Sequence, residues 1–157
     1  MKTTFFRLAL FATVVAALAV LFAGPTSAQD PNLPATYGSV TLRAGFLPDP
    51  VVTNVIAGGP IHTTLGGVNA YVARAPDFRV YYTAGKMPLT FYVASVADTT
   101  LLINLPNGTW IAHDDSGGDL NPMIHLMNPP SGRYDIWVGT VRPSTASAVL
   151  HVTERLQ

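Results

Sequence analysis

A carboxylate-rich loop is the first candidate for chemistry in this 157-residue sequence. Asp114, Asp115 and Asp119 lie close together, and Ser116 and Asn121 add neutral oxygen atoms to the same segment. Calcium takes about six to eight oxygen ligands, and a glycine-rich loop lets carboxylates and carbonyls converge. The spacing is not that of an EF-hand. We expect a calcium site at Asp114, Asp115 and Asp119; the alternative is a solvated loop whose aspartates bond to backbone N–H groups.

The same loop contains Asp115-Ser116-Gly117-Gly118, which is similar to the nucleophile motif of chymotrypsin-like serine proteases. That family needs a histidine to activate the serine and backbone N–H groups to bind the oxyanion. Here Asp114 stands where that family has an oxyanion-forming glycine, and His62 is not in the sequence context of its catalytic histidine. We therefore predict no catalytic residue, and a serine hydrolase using Ser116 is the least favoured alternative.

Aromatic side chains suggest a second candidate site. Tyr81, Tyr92 and Trp137 alternate with apolar residues in strand-like segments, and polar residues such as Arg133 share their faces. An exposed aromatic ring can stack on a sugar ring or on a partner's side chain. We predict a ligand-binding surface at Trp137, Tyr81, Tyr92 and Arg133. The alternative is that residues 44–70, whose role the sequence does not indicate, cover these rings.

The composition excludes several classes of protein. Hydrophobic residues make up 48% of the chain and charged residues 11%, the reverse of a disordered sequence. Nine basic side chains balance nine acidic ones, so the excess positive charge of a nucleic-acid binder is missing. Without any cysteine, the chain cannot form disulfides or thiolate metal sites.

The first 28 residues have the pattern of a secretory signal peptide. Lys2 and Arg7 give a basic start, an apolar run covers residues 8–23, and small residues end at Ala28. We expect cleavage after Ala28, a periplasmic or secreted protein, and no membrane span in the mature chain. An uncleaved membrane anchor is the alternative.

The remaining chain is predicted to be all-β. Residues 29–36 are rich in proline and predict an extended leader, and residues 37–157 form a single domain. Short segments rich in β-branched and aromatic residues alternate with turn residues, which is typical of an antiparallel β-sandwich or jelly-roll of about eight to ten short strands. The predicted strands are 38–43, 51–56, 70–74, 78–83, 89–96, 100–105, 109–113, 123–127, 133–140 and 148–153.

The order of features over residues 98–153 resembles the bacterial pre-peptidase C-terminal domain. The matching features are an Asp-led strand at Asp98, the Asn107-Gly108 tip, the Asp114-Asp115 loop and the Gly132-Arg133-Tyr134 strand. The resemblance implies a secreted, non-catalytic β-sandwich that is sometimes calcium-stabilised and sometimes binds polysaccharide or protein.

These observations predict an exported, non-enzymatic module that binds a polysaccharide or a protein of the envelope or extracellular space. The alternative is a structural or assembly component of the cell envelope.

Overall fold

The computed structural model describes residues 29–155, so the predicted signal peptide, residues 1–28, lies outside the described residues. Within residues 29–155 the chain forms eleven β-strands and one short 3-10 turn at Leu65–Gly67. The strands are β1 Ser39–Arg43, β2 Val51–Ala57, β3 Ile61–Thr63, β4 Ala70–Val72, β5 Phe78–Thr83, β6 Leu89–Ala94, β7 Thr99–Asn104, β8 Trp110–His113, β9 Met123–Leu126, β10 Gly132–Thr140 and β11 Ala146–Thr153. None of the helical structure in this range could cross a membrane.

The strands form two sheets, and β10 is the centre of the larger one. Residues 132–136 of β10 pair with β5, and Thr140 pairs with β4 on the same side. Residues 135–140 pair with β7 on the opposite side. Strands β1, β8 and β3 extend this seven-stranded sheet beyond β5, β7 and β4, respectively. The second sheet has four antiparallel strands in the order β2-β11-β6-β9. The predicted all-β sandwich is thereby confirmed.

The strands themselves differ from the prediction in two places. Strand β3, only three residues long, is absent from the predicted set because a run this short carries no periodicity. Strand β1 pairs with β5 in parallel, with Thr41 opposite Tyr81, whereas the turn spacing predicts antiparallel pairing throughout. Strands β2, β3 and β4 lie between β1 and β5 in the chain, which provides the long connection that a parallel pair requires.

The inward faces of the two sheets form the main core. Alternation assigns these faces correctly, since Phe78, Val80 and Tyr82 are buried, as are Tyr134 and the following alternate residues of β10. The strand Gly132–Thr140 begins at a glycine for a steric reason. Gly132 has a φ of 140°, and a Cβ there would lie 2.6 Å from Pro106 Cβ.

A second, smaller core lies on the outer face of the seven-stranded sheet. It consists of Ala70, Val72, Leu102, Ala112 and Trp137, with Leu65, Val68 and Trp110 packed at its margin. Most of the covering residues come from the segment 61–72. This segment therefore buries an outer sheet face that simple alternation assigns to solvent.

The segment 29–36 also packs against the seven-stranded sheet. It contains turns, whereas its prolines predict an extended leader. Arg79 donates hydrogen bonds to the carbonyl oxygens of Pro31 (2.6 Å) and Leu33 (3.0 Å). Backbone bonds from Asp30 N to Arg74 O and from Thr36 N to Pro76 O continue the attachment. Arg79 therefore holds this segment to β5.

Candidate functional site

Trp137 cannot belong to an exposed binding surface. Its side chain is 0% exposed, and its ring lies 5.1 Å from that of Trp110 in the second core. The prediction that Trp137 is a stacking platform is therefore wrong. The alternative applies instead, because Leu65, Val68 and Ala70, from within residues 44–70, pack around the Trp137 ring. Alternation places Trp137 on the outer face correctly, but it does not reveal that another segment packs there.

Tyr81 and Arg133 are brought together on the outer face of the seven-stranded sheet. They are directly opposite each other in the pairing of β5 with β10. Both remain accessible, since Tyr81 is 42% exposed and the Arg133 side chain is 39% exposed. Together with Thr41, Thr83 and other residues they line a shallow cavity of about 350 Å³. Two of the four residues predicted to bind a ligand therefore lie side by side and accessible.

The buried carboxylate of Asp135 forms an ion pair with Arg133. Asp135 is 0% exposed, and its Oδ1 accepts a hydrogen bond from Arg79 Nε. Its Oδ2 lies 2.8 Å from Arg133 Nε as an ion pair, without the angle of a hydrogen bond. Because the carboxylate lies between two guanidinium groups, the positive charge of the patch is partly neutralised.

Tyr92 lies on the other sheet, away from Tyr81 and Arg133. It is on the outer face of β6, and its ring stacks on His151 at a centroid distance of 4.3 Å and an interplanar angle of 4°. Burial lowers the pKa of His151, which favours the neutral imidazole in this stack. The predicted surface is thus divided between two sheets, and Tyr92 belongs to a different face of the molecule.

The Asp114–Asn121 loop does not bring its carboxylates together. Asp115 and Asp119 are exposed, and Asp114 Oδ1 accepts a bond from the backbone N–H of Asp115 (2.9 Å). In the described part of the chain no group of three His, Asp or Glu side chains could hold a metal ion. Asp114, Asp115 and Asp119 therefore do not fit calcium in this conformation.

Ser116 is bonded to the backbone of β9. Its hydroxyl donates to the carbonyl oxygen of Met123 (2.7 Å) and accepts from the backbone N–H of Met123 (3.1 Å). Among the described residues no histidine is hydrogen-bonded to this hydroxyl. A catalytic serine needs such a base, so the geometry assigns Ser116 to holding the loop against the edge of β9.

Asp77 is a buried acid that the sequence does not single out. It is 2% exposed at the start of β5, and its Oδ2 accepts a hydrogen bond from the backbone N–H of Val138 (2.7 Å). Burial raises the pKa of Asp77 to about 7, while the bond from Val138 opposes the rise. Asp77 therefore joins the residue before β5 to the middle of β10.

The outer face of the four-stranded sheet carries several accessible apolar side chains; we call it the open face. It comprises Val52, Asn54 and Ile56 of β2, Ser147, Val149 and His151 of β11, Tyr92 and Ala94 of β6, and Met123 and His125 of β9. Val52 is 53% exposed and Ile56 is 46% exposed. Strand β2 therefore carries apolar side chains on both of its faces.

A groove of about 800 Å³ lies at one end of the open face. Its lining residues are mainly apolar or small: Tyr37, Asn54, Val55, Ile56, Ala94, Ser95, Val96, Ser147, Ala148 and Val149. Tyr37 forms one wall and accepts a bond from the backbone N–H of Ile56 (3.0 Å), and Val96 is fully exposed at the opposite wall. The sequence signal for this groove is the presence of apolar residues on both faces of β2.

Comparisons with other proteins give little beyond this geometry. No family model matches the chain, and no curated protein matches it. A crystal structure of PliG from Aeromonas hydrophila, a periplasmic lysozyme inhibitor of g-type lysozyme, is similar at a TM-score of 0.37 and 15% sequence identity. The match covers 73% of this chain and 96% of that chain. At these values it carries no argument about function, and the resemblance to the pre-peptidase C-terminal domain stays a prediction.

Proposed function

We propose that this chain is an exported, non-catalytic binding module that holds an apolar segment of an envelope or extracellular protein in the groove of the open face. The groove itself carries this proposal. An accessible apolar depression on a sheet face is typical of protein-binding surfaces, because apolar surface gains about 25 cal/mol per Å² when it is removed from water.

The chemistry of the lining favours a protein segment over a sugar. Sugar rings are usually bound by an exposed aromatic plane with hydrogen-bonding groups beside it. The groove has one aromatic ring, that of Tyr37, whose hydroxyl already accepts a bond from the backbone of Ile56, and the rest of its lining is mainly aliphatic or small. Such a lining has room for inserted apolar side chains but offers few polar contacts.

The test is site-specific photocrosslinking of the full-length chain in its native envelope. A benzophenone amino acid at Val96 is expected to give one defined protein adduct, and the same group at Lys86, an exposed loop residue away from the groove, is expected to give none. Ser147→Arg, which fills the groove, should abolish the adduct. Thr145→Arg, two residues away and outside the groove lining, should leave it unchanged.

Two outcomes would contradict the proposal. One is equal crosslinking from Val96 and Lys86, which would indicate random encounters. The other is an adduct that survives Ser147→Arg while the variant remains folded by circular dichroism, since the partner would then not occupy the groove.

A second candidate function, polysaccharide binding, is favoured by one observation. Tyr81 and Arg133 form an accessible aromatic and cationic pair beside the hydroxyl groups of Thr41 and Thr83. A carbohydrate array is the direct test. If this patch binds sugar, Tyr81→Ser should lose the signal and Ser147→Arg should keep it, so the two candidate functions are separable with the same variants.

A further inference from the structure

Three side chains with soft or borderline metal-binding atoms lie along β9 and its end. Met123 and His125 occupy alternate positions of β9 and so project from the same side of the strand, and Met127, in the bend that follows, contacts His125 through its sulfur. The pairing of β9 with β6 confirms that Met123 and His125 lie on the outer side of the sheet. Met123 pairs with Tyr92 and His125 pairs with Thr90, and the intervening Ile124 is buried in the main core. The three side chains therefore line one margin of the open face.

The imidazole of His125 is oriented by its neighbours. Its Nδ1 lies 2.8 Å from Thr90 Oγ1, and Thr90 is 1% exposed. Its Nε2 lies 3.0 Å from the sulfur of Met127. Metal-binding histidines commonly use one ring nitrogen for the metal and donate the other N–H to a fixed oxygen atom. Because a thioether sulfur only accepts, the contact with Met127 places the proton on Nε2 in the metal-free protein, with Nδ1 accepting from the Thr90 hydroxyl. Binding of a metal ion at Nε2 requires the other tautomer, in which Nδ1–H donates to Thr90 Oγ1.

Met127 contacts this nitrogen directly, and Met123 lies two residues before His125 on the outward side of β9. Alternate residues on a strand are about 6.6 Å apart, and His125 lies midway between the two methionines. Met123 is half-buried and its backbone is fixed by Ser116, while the Met127 side chain is exposed. Two flexible thioethers therefore flank one oriented imidazole, with a solvent path to the site.

We propose that Met123, His125 and Met127 form a binding site for a single Cu(I) ion. Thioether sulfur is a soft ligand that favours Cu(I), and imidazole also suits copper, whereas magnesium and calcium require oxygen ligands. The chain has no cysteine that could compete for such an ion. Ag(I), which has the same charge and similar softness, is a redox-stable probe for the same three ligands.

This site is independent of the proposed protein-binding groove. The groove lies across β2, β11 and the end of β6, and the stacked pair Tyr92 and His151 lies between it and β9. Neither methionine lines the groove. Failure of metal binding would therefore leave the groove proposal intact, and the reverse is also true.

The first experiment follows the methionine methyl groups of the full-length chain by NMR during titration with Ag(I). The methyl signals of Met123 and Met127 are expected to shift together and to saturate at one equivalent of metal. Met87 is the internal control, because it is exposed in the loop between β5 and β6 and has no histidine beside it in sequence. Equal shifts at Met87, or none at Met123 and Met127, would overturn the proposal.

The second experiment measures Cu(I) affinity by anaerobic competition with a chromogenic Cu(I) chelator. We expect Met127→Leu and His125→Asn each to weaken binding at least tenfold, and Met87→Leu and His113→Asn to have no effect. Thr90→Val, which removes the oxygen that orients the ring, should weaken binding by about tenfold without removing a ligand. Unchanged affinity in folded His125→Asn protein would show that the site does not exist.

Discussion

The outer faces of the two sheets in this sandwich differ in how far other segments cover them. On the seven-stranded sheet, segments 61–72 and 29–36 pack over part of the outer face, and Trp137 and Asp135 are fully buried there. On the four-stranded sheet, Val52 and Ile56 remain exposed. The same alternation of side chains therefore leads to a second core on one side and an accessible surface on the other. The covered face contributes stability, and the open face is where we propose that a partner binds.

The largest expected effect is at the centre of the covered face. Trp137→Ala should lower the free energy of unfolding by about 3–5 kcal/mol, because it removes the largest side chain of the second core and leaves a cavity. Urea denaturation followed by circular dichroism measures this change. A loss below 1 kcal/mol would mean that the second core is not tightly packed, and the contrast between the two faces would fail.

A pH-dependent effect is expected at Asp77, which bonds to the backbone of β10, the strand that carries Trp137. Its folded-state pKa of about 7 lies above the ordinary value of 3.8, so the folded protein holds this proton more tightly than the unfolded chain. The stability that the proton provides is complete below pH 3.8 and is lost as the pH rises to about 7. Asp77→Asn should therefore stabilise the protein at pH 8 relative to wild type by about 2–4 kcal/mol.

The measurement for Asp77 is the free energy of unfolding at pH 4 and at pH 8 for wild type and Asp77→Asn. The asparagine oxygen can still accept the bond from Val138, so the two proteins should have similar stability at pH 4. A difference that is the same at both pH values would contradict the explanation.

A smaller effect is expected where Arg79 attaches the segment 29–36. Arg79→Met keeps the aliphatic packing but removes the bonds to Pro31, Leu33 and Asp135, and we expect a loss of about 2–3 kcal/mol. Amide hydrogen exchange should accelerate in residues 29–36. Arg133→Met is the matched control, since it removes only the more exposed partner of Asp135 and should leave exchange in that segment unchanged.

The smallest effects are expected from one substitution, valine to threonine, made once on each face. Val72→Thr places a hydroxyl in the covered face and should cost about 1–2 kcal/mol, because the buried hydroxyl needs a hydrogen-bond partner. Val52→Thr makes the same change on the open face and should stay within about 0.5 kcal/mol of wild type. Equal losses in thermal or urea unfolding would show that the open face is covered in solution.

The sequence predicts the strands better than it predicts their surroundings. All ten predicted segments overlap observed strands, because β-branched and aromatic runs between turn residues are a local signal. It also predicts that Tyr81 and Arg133 point outward. It does not predict that they are opposite each other, since pairing between β5 and β10 joins residues far apart in the chain.

The candidate sites were predicted less well for the same reason. Asp114, Asp115 and Asp119 are neighbours in sequence, but proximity along a loop does not make three carboxylates converge. His125 resembles an ordinary surface residue until β6 places Thr90 beside its Nδ1. The groove requires β2, β11 and β6 to lie side by side.

By itself, the sequence determined that this chain is all-β and which side of most strands faces the main core, because alternation and turn residues are local properties. Only the tertiary structure decided which outer face is covered. Trp137 and Val52 both lie on outward positions of their strands, yet one is buried and the other is exposed. The difference depends on where distant segments pack. Their packing is set by the free energy of contacts between residues far apart in sequence, which local sequence patterns do not show.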